Sequence, residues 1–112
     1  MKYALMLVLV CISTLAQGKE YEAYYQDLWC NGEVEVTLSD NSRADCLTED
    51  EAIEVDFAHK WAEAIGQALL YARLTGKTPA VLLIINEGSA DHLARFHNAS
   101  DGLGIRLYII HE

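Results

Sequence analysis

Apolar residues change their spacing several times along this 112-residue chain, and each change marks an element. From 3 to 12 they are nearly continuous behind Lys2, and Ser13, Thr14, Ala16 and Gly18 then supply small residues at the spacing of a signal-cleavage site. That run is shorter than the ~18–20 residues of a membrane span. Residues 1–18 therefore read as a cleaved secretory signal, and 19–112 as a single small domain. Residues 20–29 mix aromatic and polar side chains and read as a short helix, broken by Asn31-Gly32. Val34, Val36 and Leu38 next alternate with polar positions, the two-residue period of a half-buried strand over 33–38. A polar turn at 39–42 leads to a second strand over 43–47, and an acidic turn at 48–51 to a third over 52–57.

The strongest helical pattern covers 58–75. An advance of about 100° per residue gathers Phe57, Trp61, Ile65, Ala68, Leu69 and Ala72 on one side, with Lys60, Glu63, Ala64, Gln67 and Tyr71 adjoining. Gly76 stops it where a left-handed residue is favoured. Pro79 stands at the helix-to-strand junction, and the unbroken apolar run 81–85 predicts a strand covered on both faces. A second helix over 89–99 and an apolar strand over 105–110 complete the chain. The order α-β-β-β-α-β-α-β predicts an α/β sandwich on a mixed sheet, its first three strands an antiparallel meander and its fourth parallel to the third.

Charge narrows the partners. The chain carries 8 Lys plus Arg against 17 Asp plus Glu, a formal charge of −9, and losing Lys2 with the signal makes it −10. Broad attraction to nucleic acid rests on basic patches, which this balance lacks. Cations, and partners that are neutral or basic, fit it better. Cys30 and Cys46 remain after cleavage. In an oxidising secreted or periplasmic setting an even pair reads first as a disulfide, and no histidines stand at finger spacing to suggest zinc. No Gly-x-Ser-x-Gly turn supports a serine hydrolase.

The third strand breaks the apolar rule. In Ala52-Ile53-Glu54-Val55-Asp56-Phe57, alternation puts Glu54 and Asp56 on one face and Ile53, Val55 and Phe57 on the other. The neighbouring strand brings Asp45 to the acidic face. Buried carboxylates cost several kcal/mol (order of magnitude) unless a cation, a partner charge or water meets them. Either this face is wet or it is a site. As a site, two or three converging carboxylates suit Mg²⁺ or a similar hard cation, with Lys60 to steady negative charge and Gln67 to orient water or substrate.

These residues resemble the PD-(D/E)xK nuclease superfamily, the restriction-endonuclease-like fold with an αβββαβ core; here a further helix and strand follow at the C-terminus. The resemblance matches Asp45 to the family's first acid and Glu54 to its second, and Ala64-Ile65-Gly66-Gln67-Ala68-Leu69-Leu70-Tyr71 to the glutamine-and-tyrosine helix motif of its RecB-like branch. It implies a metal held by Asp45, Glu54 and the Val55 carbonyl, with Asp56 as an extra ligand. Glu33 matches an acid that some members supply from nearer the first helix. Asp56 stands where the family has lysine, and the resemblance places that lysine at Lys60, as in members that move it to the following helix.

Three readings of function follow. One is a Mg²⁺- or Mn²⁺-dependent phosphodiester hydrolase using Asp45, Glu54, Lys60 and Gln67. A second is a catalytically inactive relative kept as a binding module. The third is a plain disulfide-stapled domain that meets a protein partner through its acidic face.

Overall fold

The apolar run is buried on both sides, from Ala80 through Ile85. In the computed structural model, which describes residues 21–112, this run forms most of β4 (Thr78–Ile85), and everything else is arranged about it. Before it come α1 (Glu22–Trp29), β1 (Glu33–Thr37), β2 (Arg43–Leu47), β3 (Glu51–Phe57), one 3-10 turn (Ala58–Lys60) and α2 (Trp61–Thr75). After it come α3 (Ala90–Ser100) and β5 (Arg106–His111). The five strands lie in the order β1-β2-β3-β4-β5, antiparallel from β1 to β3 and parallel from β3 to β5. The mixed sheet and the meander expected from the pattern are both present. The predicted signal, residues 1–18, lies outside the described residues, among which no helix is long and apolar enough to cross a membrane.

Side-chain alternation in β4 divides the core. Val81, Leu83 and Ile85 pack with Ala64, Ile65 and Ala68 of α2 and Phe96 of α3. Ala80, Leu82 and Ile84 pack on the opposite face with Ile53, Val55, Cys46 and Tyr25 of α1. Burying a side chain of this kind contributes roughly 1.5–3 kcal/mol, so the layers are fixed by β4 and its neighbours. Cys30, just past α1, is bonded to Cys46 in β2. This bridge holds the helix against the sheet.

Three details depart from the sequence pattern. Pro79 lies inside β4, where β5 has not yet begun to pair; its partner is Ala52 of β3, and a strand position with one neighbour tolerates proline. The buried stripe of α2 is Ala64, Ile65, Ala68 and Tyr71, leaving Leu69 36% exposed. The chain enters α2 through a 3-10 turn, which advances about 120° per residue and rotates the helix relative to a face anchored on Phe57. Gly32 is a close-packing glycine: a Cβ there would collide with the Leu47 carbonyl oxygen. Gly76 ends α2 at φ 74°, as expected.

Candidate active site in the opening between two strands

Strands β2 and β3 pair only at Cys46 with Ile53 and Leu47 with Ala52, while β1 stays paired to β2 as far as Thr37 with Arg43. The β1–β2 hairpin therefore leaves the sheet beyond Ile53. In the gap, the Val55 N–H donates to the Asp45 carboxylate at 2.8 Å. Glu35 falls opposite Asp45, between the Val34–Cys46 and Val36–Ala44 pairs, and its backbone is left-handed at φ 51°. For a side chain with a Cβ that conformation costs on the order of 1–3 kcal/mol.

Glu54 and Asp56 sit on the α2 side of β3, beside Val81 and Leu83, at 3% and 4% exposure. The wet-face alternative is thereby excluded. Glu54 and Asp45 are hydrogen-bonded carboxyl to carboxyl. Burial first, then the Asp45 bond and charge, holds Glu54 far above the ordinary carboxylate range, so this pair keeps a proton at neutral pH. Asp45 is raised by the same burial, against the lowering effect of its bonds to Glu54 and to the Val55 amide. Asp56 is pushed up to about 8, by burial, then by a hydrogen bond and charge from Glu22, with Lys60 opposing.

Glu22 is the acid that the sequence left unmarked. It lies in the first turn of α1, bonds Asp56, and accepts from Lys60 Nζ at 3.2 Å. Its partners are more than thirty residues away in sequence, so no local spacing announces it. Glu33, the acid singled out for this role, is exposed on β1 opposite Leu47. Lys60 is raised above the ordinary lysine value by its bond to Glu22 and then by the Glu22 charge, which keeps it an ammonium.

The helix motif divides. Tyr71 is buried against Ala44 and Ala52, and it is pushed up to about 12 by burial and then by the charges of Glu54 and Asp45. Gln67 is exposed and makes no hydrogen bond to the carboxyl cluster. So Asp45, Glu54, Asp56 and Lys60 are gathered at one opening, Gln67 lies outside it, and Tyr71 takes the inward position. A cavity of about 520 Å³ leads to the opening, lined in part by Glu22, Gln26, Asp45, Phe57, His59 and Lys60. Among the described residues, no group of three or more His, Cys, Asp or Glu side chains is arranged to hold a metal ion. The carboxyls are instead joined in pairs, Asp45 with Glu54 and Asp56 with Glu22.

Glu51, a further buried acid on β3, is fully met elsewhere by Arg106 at 2.8 Å and Tyr108 at 2.9 Å. Its role is to tie β3 to β5. No protein-family model matches the chain, and neither a curated protein nor a solved structure matches it.

Proposed function

We propose that this chain is a secreted or periplasmic PD-(D/E)xK-like domain that hydrolyses phosphodiesters with Mg²⁺, or Mn²⁺ in its place. The observation carrying this reading is the gap between β2 and β3, in which Asp45 and Glu54 meet and Lys60 stands beside Asp56. The donors suit a hard cation. Mg²⁺ binds through one or two carboxylates, with waters and substrate phosphate completing its shell, so a carboxyl pair is an adequate cradle without a third protein ligand. Asp45 and Glu54 are the holding residues, with Asp56 as the extra ligand. When bound, the ion supplies phosphate polarisation and lowers the pKa of a water.

The chain's own groups do the remainder. Lys60, kept charged by Glu22, offsets negative charge developing on the phosphate. Glu22 positions that ammonium, and the buried Tyr71 closes the inner side of the acids. Gln67, exposed on α2 and outside the opening, takes no part in this arrangement. The Cys30–Cys46 bond suits the oxidising compartment that the signal reading implies.

A second reading, a catalytically inactive binding module of the same shape, is favoured by Asp56 occupying the family's lysine position. Plasmid nicking decides between them. Wild type with Mg²⁺ or Mn²⁺ is expected to nick, and Glu54→Gln and Lys60→Ala to lose roughly 10²–10³-fold. Equal, background-level nicking by all three proteins overturns the hydrolase.

A further inference from the structure

Gln26 has no role in the chemistry above, yet it is only 3% exposed and its side-chain amide hydrogen-bonds no described residue. It lines the cavity that leads to the carboxyl pair, one helical turn from Glu22. Its amide atoms are not among the sealed, unpartnered polar atoms of the described residues, so the amide opens onto the cavity and can meet a ligand there. We propose that this cavity is a subsite for one unpaired nucleobase, with the Gln26 amide reading the base edge; the proposal rests on the phosphodiesterase reading.

Four observations converge on that ligand. The amide presents a donor and an acceptor side by side, the pattern that meets adenine N7 and N6 together. Phe57 and His59 supply aromatic surface in the same cavity, their rings 20° from parallel with centroids 6.1 Å apart, and such surfaces stack bases of any sequence. Asp45, Glu22 and Lys60 line this cavity too, so a phosphodiester held at the carboxyl pair delivers its neighbouring base beside Gln26. A cavity of about 520 Å³ is in the size range of small-ligand sites.

Net charge explains why a base, rather than a long stretch of backbone, must carry recognition. At −9 the chain cannot draw affinity from many phosphate contacts and the counterions they release. Its binding then falls shallowly with salt and favours single strands, since a base within a duplex must first be unstacked.

The test is fluorescence anisotropy with labelled single-stranded oligo-dA, oligo-dT and oligo-dC, and a duplex of equal length, with Ca²⁺ in place of Mg²⁺. Wild type is expected to bind oligo-dA roughly tenfold tighter than the other probes, and Gln26→Met to lose the preference. In wild-type protein the Gln26 side-chain NH₂ resonances are expected to shift on adding oligo-dA, which needs no variant to fold. Equal binding of all single strands by wild type, an unchanged preference in Gln26→Met, or unmoved Gln26 resonances overturns the subsite. A wild type that prefers oligo-dA but never nicks DNA keeps the subsite and overturns the hydrolase reading. Cleavage with no difference between wild type and Gln26→Met does the reverse.

Discussion

The Asp45 carboxylate accepts the Val55 amide at 2.8 Å, replacing with a side chain the backbone bond that an unbroken β2–β3 ladder would make. One residue therefore serves both the sheet and the site. It fills the ladder where the strands part, and it shares a proton with Glu54 inside the gap.

Replacing Asp45 separates these duties. Asp45→Ala leaves the Val55 N–H and the Glu54 carboxyl without their partner and is expected to cost about 1–3 kcal/mol, the usual effect of orphaning buried polar groups. Asp45→Asn keeps an acceptor oxygen and should unfold within about 1 kcal/mol of wild type. Urea denaturation measures both. Calorimetry should find Mg²⁺ or Mn²⁺ binding weakened in each variant.

The raised carboxyls set the sign of the pH dependence. Glu54 and Asp56 hold protons in the folded state at pH values where the unfolded chain has released them. Their contribution is most favourable near pH ~4 and is lost as pH rises toward the folded values, about 8 for Asp56 and higher for Glu54. With chelator present, the stability of wild type minus that of the E54Q/D56N double variant should therefore fall as pH rises from about 5 to about 8. A flat or rising difference, read from urea midpoints, contradicts the assignment. Added Mg²⁺ should restore stability most at the alkaline end, where the carboxyls ionise most readily.

The Cys30–Cys46 bond closes a loop across 16 positions and ties α1 to β2. Reduction, or paired replacement by serine, is expected to cost about 2–4 kcal/mol. Urea midpoints with and without a reductant measure it. Because α1 carries Glu22, nicking should fall with reduction even in buffer where the fold persists.

Gly66 offers an opposite effect. It lies within α2, and a Cβ there meets nothing within 4 Å. Gly66→Ala is expected to stabilise by about 0.5–1 kcal/mol through helix propensity and a less flexible unfolded chain. A raised melting temperature with unchanged nicking is the expected result.

Much of this arrangement could be read from residue order because the decisive patterns are local. Val81 to Ile85 announced a strand covered twice, and the two-residue period of β3 placed Glu54 and Asp56 together on one face. Gly76 marked the end of α2. The partnership of Glu22 with Asp56 and Lys60 was hidden because tertiary packing, not spacing, brings α1 over the opening. That only Tyr71 of the expected Gln67–Tyr71 side turns inward has another cause: a single 3-10 turn resets the rotation of the helix, and residue types at 58–60 do not signal that turn. Gln26 resembled any other polar residue of a short helix until its burial was known.

The early parting of β2 from β3 also divides the molecule into units of unequal permanence. Two residue pairs, one disulfide, the Asp45 bonds to Val55 and Glu54, and the packing of Ala44 against Tyr71 secure the β1–β2 hairpin to a remainder locked by continuous parallel pairing. Segments joined by a short ladder open locally before continuously paired ones do, and their amides exchange with solvent first. Asp45 travels with the hairpin, whereas Glu54 and Asp56 remain on the strand that stays. The cluster is complete only with the hairpin seated against β3, because its acids come from both sides of the gap.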